Sequence, residues 1–309
     1  MRTPSLVERI TPVRPDEFRA RYELPERPVV IAGLARDVPG VSAWTVESLT
    51  QKVGHVVVAH KLSDSNAHPN FRASERAKMF ARGSGPLGEL LLAMTSGDRA
   101  ERARRLFTGD ERFLLRRRDG STTIDPELAV LLDDVPAPEL VPSERLYTVW
   151  AWFSGPGVRT WLHYDNNGCH NLNVQVTGAK ECLLFPPSEL SKLAPYPLAG
   201  ANPAHNCSQI DVDHPDADRF PEFSDAVCER AELRAGDVLF IPAFWFHTFR
   251  HTGELNSNVN FWYQPELTRP NPVARRQALL DLVAASGVGA DAPAAELLAR
   301  LDAAAINAV

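Results

Sequence analysis

His163-Tyr164-Asp165, followed far downstream by Gly236-Asp237-Val238-Leu239-Phe240-Ile241-Pro242 and then His247, constrains this chain more than any other feature. In an extended segment residues i and i+2 point to the same face, roughly 6.6 Å apart, so His163 and Asp165 can converge on one ion while Tyr164 points away. A third ligand must then come from a strand distant in sequence and adjacent in space. His247 satisfies this, because it follows the strand signal Val238 to Ile241, which the turn Gly236-Asp237 introduces. Two histidines and a carboxylate form a facial triad that leaves half of an octahedral iron open for chemistry, and a closed antiparallel barrel brings such ligands together. A single His-x-Asp step also arises by chance, so the flanking strands have to carry part of the argument.

Asn171, Asn173 and Gln175 alternate with Leu172, Val174 and Val176, and Asn258, Asn260 and Trp262 alternate with Val259, Phe261 and Tyr263. Each strand therefore has one amide-bearing face and one apolar face. A solvated sheet face gives the same pattern, although such faces carry Lys, Glu and Thr more often than repeated amides. Amides directed into a barrel would meet a polar ligand. Lys180 begins the apolar stretch Glu181-Cys182-Leu183-Leu184-Phe185 and shares a face with Cys182 and Leu184. An ammonium facing such an interior needs an anionic partner, which a dicarboxylate cosubstrate would provide. The alternative is a lysine at the strand mouth that reaches water along its stem.

His163-Tyr164-Asp165, the stretch Gly178 to Pro187, the stretch Gly236 to Pro242, and Val259-Asn260-Phe261-Trp262-Tyr263 together resemble the JmjC, or cupin-8, oxygenases. The nearest likeness is to the asparaginyl hydroxylase that modifies hypoxia-inducible factor, with the tRNA wybutosine hydroxylase more distant. The resemblance runs from about Tyr147 to Pro265. It implies a mainly β fold with flanking helices, a double-stranded β-helix or jelly-roll barrel. It also implies Fe(II) held by His163, Asp165 and His247, with 2-oxoglutarate and O2 as cosubstrates. Lys180 would pair with the distal carboxylate of 2-oxoglutarate, helped by Thr160, Asn171 and Asn260. Strict alternation puts Thr160 on the face opposite His163, so that role requires a bulge or twist. Lys180 lies fifteen positions after Asp165, a longer spacing than in the asparaginyl hydroxylase, and the extra residues fall around Gly168-Cys169-His170.

His251 and His170 compete for the metal role, and His247 is preferred because it follows the Ile241-Pro242 break. Cys169, Cys182, Cys207 and Cys228 show no paired spacing and read as small core residues in a reducing compartment. The charged amino terminus and the lack of any apolar run of about 20 residues imply a cytoplasmic chain without a membrane span. Three regions are expected: residues 1–140 as a mixed α/β leader flanking the barrel, 141–265 as the catalytic core, and 266–309 as C-terminal helices. The last would run over Ala274 to Ala285 and, after Asp291 and Pro293, along a stripe of Leu297, Leu301 and Ala305. Tail helices form a dimer in the asparaginyl hydroxylase, so the resemblance implies a homodimer.

The net charge of −6 argues against nonspecific coating of nucleic acid. Locally the sign reverses, since Arg99, Arg102, Arg104, Arg105, Arg112, Arg116, Arg117 and Arg118 crowd one region. That region is a solvated face, or a docking site for an acidic peptide or an RNA backbone. The expected function is therefore an Fe(II)- and 2-oxoglutarate-dependent dioxygenase that hydroxylates a peptide or protein side chain and releases succinate and CO2. A tRNA nucleoside is the next substrate class and a small metabolite the third. A cupin that only binds its ligand is the alternative from outside enzymology.

Overall fold

The computed structural model describes residues 1–62, 81–96, 114–117, 126–196, 205–266 and 271–285. Its strands are β1 (Ser5–Leu6), β2 (Arg9–Ile10), β3 (Val29–Ile31), β4 (Val57–Leu62), β5 (Ala81–Pro86), β6 (Leu114–Arg117), β7 (Leu146–Ser154), β8 (His170–Thr177), β9 (Ala179–Phe185), β10 (Glu229–Arg234), β11 (Val238–Ile241), β12 (Phe246–His251) and β13 (Asn256–Tyr263). A seven-stranded major sheet has the order β2-β3-β11-β8-β13-β7-β6, and a four-stranded minor sheet the order β1-β10-β9-β12. β4 and β5 pair as a separate hairpin.

Period-2 alternation decides what each face of the major sheet covers. Its outer face presents Val149, Ala151 and Phe153 of β7, Leu172, Val174 and Val176 of β8, and Val259, Phe261 and Tyr263 of β13. These pack in one cluster with Leu49 and Val53 of the helix Val46–Val53, with Leu87, Leu91 and Met94 of the helix Leu87–Thr95, and with Phe18 and Tyr22. Thr45 caps the first of these helices, accepting from the Ser48 backbone N–H at 3.1 Å. Its inner face carries the amides and turns toward the minor sheet. Cys182, Leu184 and Phe249 from the minor sheet meet Val30, Leu239 and Ile241 from the major sheet in a second cluster. A third cluster covers the outside of the minor sheet, where Leu162, Tyr164, Phe185, Phe223 and Phe246 meet Val273 of the helix Pro272–Ala285.

Among the described residues the expected barrel is seen as two facing ladders, a mainly β arrangement consistent with a cupin fold. The chain between β7 and β8 is irregular, and there Arg159 to His163 pairs with β12 only through isolated bridges. The amino-terminal region does more than flank the barrel. β1 pairs parallel with β10, and β2 and β3 extend the major sheet. The arginine-rich stretch falls mostly outside the described residues, which include only the strand Leu114–Arg117. The stripe Leu297, Leu301 and Ala305 also lies outside them.

Two turns set the register of the inward residues. Gly178 links β8 to β9 at φ +74°, and an added Cβ would fall on the Leu255 carbonyl oxygen. Gly236 sits at φ +88° before Asp237, whose carboxylate accepts from the Gly33 N–H at 3.1 Å and the Arg234 N–H at 2.9 Å. Arg9 Nη2 donates to both oxygens of the same carboxylate, at 2.9 Å each. The Gly-Asp step that opens β11 is therefore a structural lock.

Candidate metal centre

His163 and His247 face each other as a cross-strand pair. The His163 N–H donates to the His247 carbonyl at 3.0 Å, the reverse bond is 2.7 Å, and the ring centroids lie 4.4 Å apart. Each Nδ1 lies near the carbonyl two residues earlier: Trp161 O at 2.9 Å for His163, and Trp245 O at 3.0 Å for His247. A carbonyl only accepts, so both Nδ1 atoms carry a proton and Nε2 is the nitrogen each ring turns toward a metal. Asp165 Oδ1 lies 3.9 Å from each Nε2. Its Oδ2 is held from behind by Trp262 Nε1 at 2.7 Å and Asn171 Nδ2 at 3.0 Å. One ligand atom from each of His163, Asp165 and His247 lies within 4.8 Å of the others. Among the described residues this is the only such group.

The electrostatics suit a cation. Burial alone would raise the Asp165 carboxyl, but His247, His163 and the Trp262 and Asn171 donors outweigh it and hold it below its ordinary value. Burial, with His163 beside it, lowers His247 to about 4 against the opposing pull of Asp165, so its imidazole is neutral at physiological pH. A carboxylate facing a neutral His247 imidazole, with the His163 ring beside it, is a donor set for a divalent transition metal.

Lys180 lies deeper between the sheets. It is 2% exposed, and its ammonium donates to Asn173 Oδ1 at 2.8 Å and Asn258 Oδ1 at 2.9 Å, with Nζ 4.5 Å from the Phe249 ring centroid. No carboxylate pairs with it among the described residues, and burial lowers its pKa to about 7. A buried ammonium held only by amide oxygens and a ring fits an anionic guest.

The remaining expected residues divide. Thr160 is joined to β12 across a bulge. Thr160 bonds to Phe249 and His163 to His247, so three residues on one side span two on the other. The Thr160 oxygen accepts from the Phe249 N–H at 2.8 Å, which leaves its hydroxyl hydrogen to donate elsewhere. Asn260 Oδ1 accepts from Asn173 at 3.1 Å and so belongs to the amide group around Lys180. Asn171, expected to contact the cosubstrate, donates from its NH2 to Asp165, and its buried Oδ1 has no hydrogen-bond partner. The His-x-Asp step is not a regular strand, because Asp165 already opens the turn closed by the Gly168 N–H.

The competing histidines lie elsewhere. His251 shares the inward parity of His247, but its Nδ1 is engaged with Ser154 Oγ. His170 has the parity of Leu172, accepts from the Ala243 N–H at 3.0 Å, and is lowered to about 3 by burial and by Arg145. All four cysteines are buried and none forms a disulfide. Trp262 is the functional residue that sequence reasoning missed. Its alternation with Val259 and Phe261 shows which way it faces, but not that the indole N–H reaches Asp165.

The profile of the cupin-like domain matches residues 15–269. The chain belongs to this family. Among the relatives of this cupin-like chain, lysine-specific demethylase 8 from Xenopus tropicalis is 27% identical over 260 residues, covering 80% of this chain and 50% of that protein. The human tRNA wybutosine-synthesizing protein 5 is 30% identical over 263 residues, covering 83% of this chain and 77% of that protein. The Gallus gallus protein of the same name is 31% identical over 225 residues, covering 71% and 65%. The cupin-like chain thus spans half the length of the demethylase and about three quarters of the human wybutosine protein. Among its described residues no helix is long and apolar enough to cross a membrane.

Proposed function

We propose that the protein is an Fe(II)- and 2-oxoglutarate-dependent oxygenase. The observation that carries this reading is the convergence of His163 Nε2, His247 Nε2 and Asp165 Oδ1 beside a buried, carboxylate-free Lys180. His163, Asp165 and His247 would hold the iron, and Lys180 would pair with the distal carboxylate of 2-oxoglutarate. When bound, the metal and cosubstrate would supply oxidation of a substrate C–H by O2, with release of succinate and CO2. The chain's own part is orientation. Trp262 and Asn171 fix the Asp165 carboxylate, the Trp161 and Trp245 carbonyls fix the two imidazoles, and the apolar ring around Phe249 excludes water from Lys180.

Hydroxylation of a peptide or protein side chain is the first finer reading, in line with the resemblance to the asparaginyl hydroxylase. A tRNA nucleoside is the second, and the printed names of the wybutosine-synthesizing relatives favour it. On this reading residues 141–265 are the catalytic core, 1–140 its leader, and 266–309 helices that pair two copies of a cytoplasmic enzyme. The test is oxygen-dependent succinate release with Fe(II) and 2-oxoglutarate, beside calorimetric titration with Mn(II) as a redox-inert probe. One tight Mn(II) site and succinate release are expected in the parent, and both should be lost in His163→Ala, Asp165→Ala and His247→Ala. Full turnover by His247→Ala would overturn the assignment.

A further inference from the structure

Each residue of the triad is next in sequence to one aromatic cluster on the outer side of the minor sheet. Tyr164 stands between His163 and Asp165, and Phe246 immediately precedes His247. The Tyr164 and Phe246 rings meet with centroids 5.1 Å apart and planes 67° apart, and Phe244 adds a contact to Tyr164 at 6.2 Å. Phe244 also closes on the turn after Asp165, because a Cβ added at Gly168 would lie 3.1 Å from its ring. Tyr164 is fully buried in this cluster. A shift of its ring would therefore be felt on both sides of the triad.

The outer end of that ring is fixed by the helix Pro272–Ala285. The Tyr164 hydroxyl donates to Gln277 Oε1 at 2.9 Å, and Gln277 Nε2 donates to Asp281 Oδ1 at 2.8 Å. An ionised carboxylate only accepts, so Asp281 sets which way the Gln277 amide faces and leaves its oxygen for the phenol. The Tyr164 backbone is held separately. Its N–H donates to Asn206 O at 3.1 Å, and Asn206 Nδ2 donates to Tyr164 O at 2.8 Å. A phenylalanine would fill the same apolar space without a hydroxyl that has to be desolvated, so packing alone does not call for a tyrosine here. What the hydroxyl adds is a tether from the segment carrying two ligands to the C-terminal helix.

We propose that Tyr164 is a positioning residue for the metal centre, and that the helix Pro272–Ala285 holds the segment His163 to Asp165 in its ligating conformation through Gln277. The inference rests on the reading of His163, Asp165 and His247 as metal ligands. It makes the C-terminal helix part of the metal site, although the helix supplies no ligand.

The test is calorimetric Mn(II) titration of the full chain, well below its melting temperature. Tyr164→Phe and Gln277→Leu should each weaken Mn(II) binding about 3- to 30-fold, because the metal must then reorder the segment that the tether had fixed. The double variant should bind no more weakly than either single one, since both substitutions remove the same bond. Arg275→Ala, exposed on the same helix, should bind Mn(II) like the parent. The visible absorption and circular dichroism of the Co(II)-loaded protein report ligand geometry directly, and their bands should shift in Tyr164→Phe. Thermal melts identify variants that fold like the parent. A lower melting temperature with parental Mn(II) affinity and parental Co(II) bands in both single variants would show a packing role only and overturn the inference. Additive losses in the double variant would overturn it too, because the two side chains would then act separately. A parent that binds no Mn(II) would sink the metal reading and this inference with it, whereas a parent that binds beside variants that bind equally well would sink this inference alone.

Discussion

Lys180 raises the sharpest question at the residue scale, because its surroundings oppose the charge it would need. Burial lowers it to about 7 from an ordinary 10.5. The unfolded chain therefore binds more protons than the folded one between about pH 7 and 10.5, so this residue makes stability rise with pH across that window and imposes its full penalty below it. A dicarboxylate guest would bind the protonated form, so its affinity should fall as pH climbs above about 7. In Lys180→Met two effects are expected together at pH 7: a higher melting temperature for the ligand-free protein and loss of 2-oxoglutarate binding with Mn(II) binding retained. Calorimetry from pH 6 to 9 checks the first claim, and a flat cosubstrate profile in the parent would refute it. Trp262 argues the same way for the metal. Trp262→Phe keeps the ring but removes the donor to Asp165 Oδ2, and Mn(II) affinity should drop about 10- to 100-fold, the usual effect of losing a hydrogen bond that orients a ligand. An unchanged Mn(II) titration would mean that Asn171 alone orients the carboxylate.

Among the elements, what the sequence made legible follows from how local each signal is. Alternation in β8 and β13 assigned their inner and outer faces because period 2 needs only the strand itself. The strand Val238–Ile241 was legible for the same reason, being bounded by a Gly-Asp turn and a proline. The segment before His163 was not. Whether Thr160 shares a face with His163 depends on a bulge set by the partner strand β12, which no local pattern encodes. The bond from Asn171 to Asp165 was not legible for the same reason, since it is fixed by where the turn after Asp165 brings the carboxylate. The tight turn at Gly178 tests the element argument. At φ +74° and against the Leu255 carbonyl, Gly178→Ala combines left-handed strain with a close contact and should cost about 1–3 kcal/mol. A denaturant midpoint equal to the parent's would show that the β8–β9 turn relaxes freely.

The whole molecule depends on how the two ladders stay face to face. Part of the answer is the first ten residues, which stitch both. Ser5 N–H donates to Cys228 O at 3.2 Å and Val7 N–H to Arg230 O at 2.9 Å on the minor sheet. Glu8 O then accepts from Val30 N–H at 2.9 Å and Ile10 O from Ala32 N–H at 2.8 Å on the major sheet. Val7 is buried between them in the cluster that joins the two ladders. A chain beginning at residue 11 loses that burial and those bonds together, a cost on the order of 3–6 kcal/mol. Its melting temperature should fall by about 6 °C or more. Arg9→Ala is the milder comparison. The guanidinium is exposed and Asp237 keeps its two backbone donors, so less than about 1 kcal/mol should be lost. Mn(II) affinity should stay within about tenfold of the parent in the truncated chain below its melting point, because the triad is oriented by Trp161, Trp245, Trp262 and Asn171, none of them in the removed segment. Calorimetry and Mn(II) titration on the two variants decide the matter. A truncated chain that melts with the parent would show that packing across Cys182, Leu184, Leu239 and Ile241 holds the ladders together without the amino-terminal stitch.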